Sequence, residues 1–364
     1  MMARQAGFWD YEEHLARLTK GGDPLVTLAA VVDFEPFRYR LEKALKRSDG
    51  SKGGWPPYDP VLMFKVLVLQ ALYNLSADQA EFQIRDRLSF MRFLGLTLNA
   101  PSPDAKTIWL FREHLVQARA IEQLFALFDA RLKEGGYMAQ GGQIIDATVI
   151  AAPRQHLTDE EKALIKEGKA AGEIWPDDPA RSAQKDIDAC WTMERGSLKR
   201  SEAGEARVAA PAQIMVPMFG YKNHAGIDRT FGIIRKWVVT HAARHDSGPF
   251  EDVLDTGNIA QSVWADTAYR SVKNEAAIRR AKLKSMIHFR KPKGKQMDRR
   301  HQRANAARSK VRSAVEHVFA TQKSRMALFV RTIGIERARM KIGMANLAYN
   351  FKRLVWHEGR IAPA

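Results

Sequence analysis

Gln143-Ile144-Ile145-Asp146-Ala147-Thr148-Val149-Ile150 is the stretch on which the reading of the fold turns. Its β-branched residues, set after the Gly135-Gly136 and Gly141-Gly142 breaks, mark a strand where the preceding chain is helical. Side chains alternate along a strand, so Ile144, Asp146, Thr148 and Ile150 share one face. A carboxylate among such neighbours is costly to desolvate unless a cation, a hydrogen-bond network or an open strand end compensates. Asp146 is therefore the first residue to which chemistry is assigned.

Upstream, Leu62, Val66, Leu69 and Tyr73 recur at three- to four-residue steps, as do Ile84, Leu88 and Met91. Ser76 before Ala77-Asp78-Gln79, and Ser102-Pro103-Asp104 before Ala105-Lys106-Thr107, read as helix starts. The expectation is several short helices, with Gly95 between two of them, compatible with a helix-turn-helix-like DNA-binding module or an ordinary bundle. A domain boundary falls at 133 to 141, dividing a helical domain, 1–135, from a second domain, 136–364. Residues 155–210 are rich in charge, Ala and Ser and read as an exposed insertion or loop.

Downstream, Met215 to Ile227 and Phe231 to His241 read as a hairpin joined through Asp228-Arg229-Thr230. Ser262-Val263-Trp264-Ala265 is a further strand that ends at Asp266, at the carboxyl end where crevices of open sheets form. Val272 to Ala281 reads as a helix, Ser285 to Phe289 as a short strand, and Ala304 to Arg325 as a long helix. On that helix Val311, Val315, Val318 and Phe319 form the buried stripe, and Glu316 flanks it. Arg312 lies four residues before Glu316 and Lys323 seven after it, on one side of the helix. Asp146, Asp266 and Glu316 together could hold two Mg²⁺ ions, or Mn²⁺ in their place, since both take oxygen ligands and suit in-line phosphoryl displacement. Trp264 reads as core, and His241 with His245-Asp246 as a structural turn.

The 364 residues carry a formal charge of +17, and its placement is one-sided. Arg270 to Arg353 alone carries +20, which leaves the rest at −3. Such a distribution points to phosphate contact. Lys291 and Lys293, in Arg290-Lys291-Pro292-Lys293-Gly294-Lys295, are candidates for positioning DNA backbone, as are Arg270, Lys310, Arg312, Lys323 and Lys222. No apolar run approaches the ~18 residues of a membrane span, so no membrane association is expected. The single cysteine, Cys190, allows no intrachain disulfide, and the opening residues lack the apolar stretch of a secretory signal. A reducing, cytoplasmic setting is expected.

The pieces IIDATVI around Asp146, VWADTAYR around Asp266 and RSAVEHVFATQK around Glu316 resemble the three acidic motifs of bacterial insertion-sequence DDE transposases, of the group that includes the insertion-sequence-five family. The third motif of that group has the form Y-x2-R-x3-E-x6-K. Arg312, Glu316 and Lys323 stand at those spacings, and Ser309 occupies the tyrosine position. The resemblance extends through FGYKNHAGID, THAARHDSG and ANLAYNFKRL, and through the helical PYDPVLMFKVLVLQALYNLSADQAEFQIRDRLSFMRFLGL.

What the resemblance implies is an α/β fold: an RNase H-like mixed-sheet catalytic core preceded by an all-α, helix-turn-helix-like N-terminal domain. It implies a DNA transposase with Asp146, Asp266 and Glu316 as catalytic metal ligands, cutting at terminal inverted repeats and joining a 3′-hydroxyl to target DNA. It also implies a homodimer or higher synaptic oligomer and a bacterial, nucleoid-associated location. The alternatives are a DNA-binding relic of such an element without turnover, and a metal-dependent nuclease that never joins strands.

Overall fold

Helix α4 (Pro60–Tyr73) lies at the centre of the helical part because its sequence buries ten of fourteen residues, from Pro60 and Val61 round to Gln70 and Ala71. Its start is capped by Asp59, whose Oδ1 accepts from the N–H groups of Val61 at 2.8 Å and Leu62 at 2.9 Å. In this computed structural model, which describes residues 10–45, 57–197 and 213–361, it is surrounded by α1 (Asp10–Lys20), α2 (Pro24–Val31), α3 (Arg38–Leu45), α5 (Ala77–Asp86), α6 (Leu88–Leu94), α7 (Ala105–Gln117) and α8 (Ala120–Glu134). Ser76 and Gln79 form the reciprocal capping box of α5 that their spacing predicts. At the second expected start the cap is Asp104, whose Oδ1 accepts from Thr107 N–H at 2.7 Å. Gly95 ends α6 in the left-handed region, at φ 77°.

The sheet begins at β1 (Gln143–Ala151). Next to it runs the long β3 (Gln213–Asp228), antiparallel, with Asp146 opposite Ala225. On the other side of β1 lies β5 (Ser262–Trp264), parallel, with Ile144 opposite Trp264. The hairpin partner β4 (Ile234–His241) closes one edge, antiparallel to β3. At the other edge is β6 (Lys284–Ser285), parallel to β5. The order β4-β3-β1-β5-β6, antiparallel on one side of β1 and parallel on the other, is that of an RNase H-like core.

The period of two along β1 and β5 sorts their residues between two cores. Ile144 and Trp264 point into the main hydrophobic cluster, with Val315, Val318 and Phe319 of α13 (Arg299–Ala320). Ile145, Val263 and Ala265 point into a second cluster with Phe250, Tyr269 and Ile278, the last on α12 (Val272–Arg280). α13 therefore lies on the face of Asp146.

The last helix, α14 (Ile335–Ile361), ties sheet to helices: it packs against α2, α4, α7 and α8 as well as β3 and β4. The main cluster accordingly runs without a break from Leu25 to Phe351. Gly343 allows the closest approach, since a Cβ there would stand 2.5 Å from Ile121 Cγ1 and 2.6 Å from Trp237 Cη2. Arg235, 2% exposed along its side chain, joins the same two parts by polar contacts. Its Nε bonds Asp228 Oδ2 at 3.1 Å, its Nη1 Asp129 Oδ1 at 2.8 Å and its Nη2 Tyr137 O at 2.6 Å.

The described part of segment 155–210, expected to be an exposed insertion or loop, is largely exposed and carries regular structure. Three short helices, α9 (Asp159–Lys166), α10 (Ala171–Ile174) and α11 (Pro179–Gln184), precede β2 (Cys190–Ser197), which pairs antiparallel with the first half of β3. Its charge content hid a strand because the arm is solvated: Trp191, Met193 and Met215 all remain exposed. Residues 198–212 lie outside the described residues. Of the expected strand Ser285 to Phe289 only the start is regular, though Met286 and His288 still donate to Val263 O and Ala265 O. The helix expected from Ala304 begins earlier, at Arg299, capped by Asp298, and its last turn, Thr321–Arg325, is a π-helix.

Candidate active site

Asp146 and Asp266 meet because β1 and β5 are parallel neighbours in register. Gln143 stands opposite Val263 and Ile144 opposite Trp264, so two residues further on Asp146, within β1, and Asp266, just past the end of β5, lie side by side. Asp266 continues into a 3-10 turn, Thr267–Tyr269, and caps it: its Oδ1 accepts from Ala268 N–H at 2.8 Å. Asp146 is still within β1, and its side chain is only 15% exposed. Burial pushes the Asp146 carboxyl up to about 7, outweighing the Arg312 charge and the Ala147 N–H that hold it down; Asp266 and Asp246 push it up further.

Glu316 reaches the same place from α13, through Arg312. The Arg312 guanidinium sits between the two acids, its Nη1 2.7 Å from Asp146 Oδ2 and its Nη2 2.9 Å from Glu316 Oε1. Asp146 and Glu316 are 170 positions apart in the chain, and a single cation bridges them. Among the described residues no three Asp, Glu, His or Cys side chains stand close enough to enclose a metal ion as they are. The donor set nonetheless suits one: three carboxylates, all oxygen, one within a strand, one at a strand end and one on a helix, with a guanidinium where positive charge is wanted. A hard divalent cation on these oxygens would displace Arg312 from between Asp146 and Glu316.

The structure separates the proposed phosphate contacts into two groups. Lys291, Lys293 and Lys310 are exposed. Arg270 and Lys222 are engaged within the protein. Arg270 donates from Nε to His288 O at 2.7 Å and from Nη2 to Ile287 O, pairs with Glu275 at 3.2 Å and stacks over Phe289. Lys222, 13% exposed along its side chain, bonds Arg244 O at 2.8 Å and Asp246 Oδ1 at 2.7 Å. Both sit among local acids and carbonyls, so little of their charge is left for solvent. Lys323 stands between the groups, 38% exposed and 3.7 Å from Glu194 Oε1 on β2. Ser309 Oγ lies 3.4 Å from His288 Nε2.

Two features at this site are absent from the sequence reading. The Tyr269 hydroxyl is buried and makes no hydrogen bond among the described residues, in a setting where Asp146, Asp246 and Asp266 all raise its pKa after burial itself. Glu194 brings an acid from the charged segment to which no chemistry was assigned. Tyr269 was within reach, three residues past Asp266 and two before Ser271, the cap of the helix that starts at Val272; Glu194 carried no signal except the β-prone Cys190-Trp191-Thr192-Met193 before it. Trp264 is core, with Arg229 stacked over its ring at 5.2 Å. His245 Nδ1 bonds Ser247 Oγ at 2.8 Å in an exposed turn.

One acid within a strand and one just past the end of its parallel neighbour in an RNase H-like sheet, with a third on the helix across them, fit a DDE-type nucleic-acid-processing protein. Two family models match the chain: Transposase domain (DUF772) over residues 12–114 and Transposase DDE domain over residues 217–351. The chain belongs to the insertion-sequence DDE transposases. The second match takes in Asp266 and Glu316 and begins beyond Asp146. No solved structure matches the chain. Transposases act on DNA, and their DDE family generally uses divalent metal ions.

Proposed function

We propose that this transposase cuts DNA at the terminal inverted repeats of its element and joins the freed 3′-hydroxyl to target DNA, with Asp146, Asp266 and Glu316 as its catalytic triad. The observation that carries this reading is the in-register pairing of Asp146 and Asp266 together with the Arg312 bridge from Asp146 to Glu316. The triad would hold Mg²⁺, with Mn²⁺ as a substitute and two ions per site. Bound there, the metal supplies Lewis-acid activation of the attacking oxygen and charge neutralisation on the leaving one.

The chain's own residues do the rest. Asp146 is fixed within β1 and Asp266 by the turn it caps just past β5, so their oxygens are preorganised. Glu316, on an exposed helix face, is the adjustable third member. Arg312 is poised to hand its two carboxylates over and take a phosphate oxygen instead. Lys291, Lys293 and Lys310 position flanking backbone, joined by Lys323 when it leaves Glu194.

In this reading residues 1–135 serve as the DNA-binding unit and 136–364 as the catalytic domain. The protein works as a dimer or larger synaptic assembly, because two element ends are processed together, in the bacterial cytoplasm at the nucleoid. Membership of the insertion-sequence-five group belongs to the same proposal, supported by the Arg312, Glu316 and Lys323 spacing. Among the described residues no single helix is long and apolar enough to cross a membrane.

The test is purified protein on labelled DNA carrying the element ends, with Mg²⁺ or Mn²⁺, beside Asp266→Asn and an EDTA control. End-specific cleavage and joining lost in both controls is the expected result. Cleavage without joining points to a nuclease. Tight, salt-sensitive binding with no metal-dependent cutting points to a relic that only binds.

A further inference from the structure

A second concentration of positive charge lies away from the acids, where α7, α14 and the loop before α14 meet. Arg112 is on α7, Lys341 on α14 and Arg331 in that loop. The surrounding cations have acids. Arg337 Nε stands 2.8 and 3.0 Å from the two oxygens of Glu113, Arg119 lies 3.6 Å from Glu336, and Arg339 is paired with Glu336 and Glu122.

Arg112 and Lys341 have none. The Nε of Arg112 is buried and makes no hydrogen bond among the described residues, and neither side chain forms an ion pair there. Among the described residues Arg331 has only the Asn74 amide oxygen at 3.2 Å and the Phe329 ring. Glu113 is the one acid acting on Arg112, and Arg337 already holds it through two oxygens. Burial and then the Arg112 and Arg331 charges push the Lys341 ammonium down to about 8.

Arg112 and Lys341 are half-buried like charges, with the exposed Arg331 acting on Lys341, and among the described residues no acid is left free to offset their repulsion. A group of this kind is retained where an outside anion completes it, and a phosphate oxygen suits two guanidinium groups and an ammonium. We propose that Arg112, Arg331 and Lys341 form a seat for a backbone phosphate of the DNA this transposase binds, distinct from the carboxylate site. The seat rests on DNA being the partner and not on the triad's chemistry. Two of its members come from the late basic segment and one from the helical part, so the phosphate would be held across both parts of the chain.

The test is the salt dependence of duplex binding by the full-length protein with Lys341→Met, Arg112→Gln and a control, Lys162→Gln, on the remote helix α9. Each phosphate contact contributes about 0.9 to the slope of log affinity against log salt. Lys341→Met and Arg112→Gln should each lower the slope by about that amount and weaken binding about eightfold at 0.1 M salt. Lys162→Gln should leave both unchanged. A wild-type slope in both site variants, or an equal loss in the control, overturns the proposal. Melting with added inorganic phosphate separates the sources: stabilisation of the wild type by free phosphate, with unchanged DNA slopes in the variants, would make this a free-anion site and overturn the DNA assignment. Each variant is melted alone to show that it is folded. Cleavage assays of the triad variants are independent of these outcomes, so failure here leaves the transposition reading standing.

Discussion

Replacing Arg312 with Met should make the carboxylate site a better metal binder and the metal-free protein a weaker fold. The Asp146 to Arg312 contact is a charge-assisted hydrogen bond between side chains 15% and 23% exposed, worth about 1.5–3 kcal/mol. The Glu316 contact, with the acid 60% exposed, adds only about 0.3–0.5 kcal/mol. A metal entering the wild-type site must first remove Arg312 from both acids, at a cost of about 2–3 kcal/mol. Met keeps the length of the stem and removes that cost, so Mn²⁺ affinity should rise about 30- to 140-fold. Calorimetric titration with Mn²⁺ at about pH 8 measures it directly, and a larger Mn²⁺-induced rise in melting temperature accompanies it. Loss of Arg312 also removes the strongest influence holding the Asp146 carboxyl down, so protons compete with metal and the gain should shrink as pH falls through 7. DNA cleavage should fall despite tighter metal binding, since the guanidinium is no longer there to meet phosphate. Equal or weaker Mn²⁺ affinity in the variant would refute the view that Arg312 stands in the cation's place.

Three further outcomes follow from packing and charge. Arg235→Met leaves Asp228 and Asp129 without their shared cation in a buried setting, and urea unfolding should show a loss of about 3–5 kcal/mol. Gly343→Ala forces a methyl against Ile121 and Trp237, costing about 1–3 kcal/mol in the same assay; a neutral result would mean that α14 can shift outward. The Lys341 ammonium has a folded pKa near 8 against 10.5 for the ordinary group, so the unfolded chain binds the extra proton between those values and wild-type stability rises with pH across that window. Lys341→Met should therefore be more stable than wild type below pH 8, by up to about 3 kcal/mol, with the advantage vanishing towards pH 10.5.

The apolar, β-prone run at Gln143 to Ile150, the hairpin around Asp228 and the apolar stripe on α13 were legible in the chain because each is a local pattern. A strand buried on both faces reads as a near-continuous apolar run, and a helix buried on one face repeats its apolar residues every third to fourth position. Asp146, Asp266 and Glu316 stood out for the same reason, as acids within, at the end of or beside such patterns. Pattern shows which face is buried and leaves open what it is buried against. The docking of α14 on α4 and α8, 275 positions from its own start to that of α4, depends on shape matches such as Gly343 against Trp237. Charge is less legible still, because electrostatic partners are chosen by distance in space. Lys222 and Arg270 look like free cations in one dimension and are tied to Asp246, Glu275 and backbone carbonyls in three. Arg112 and Lys341 look ordinary in the chain, and only folding brings them together without an acid. The period of the backbone determined the elements and the candidate acids; the packing of those elements decided which charges are spent within the protein and which remain for a ligand.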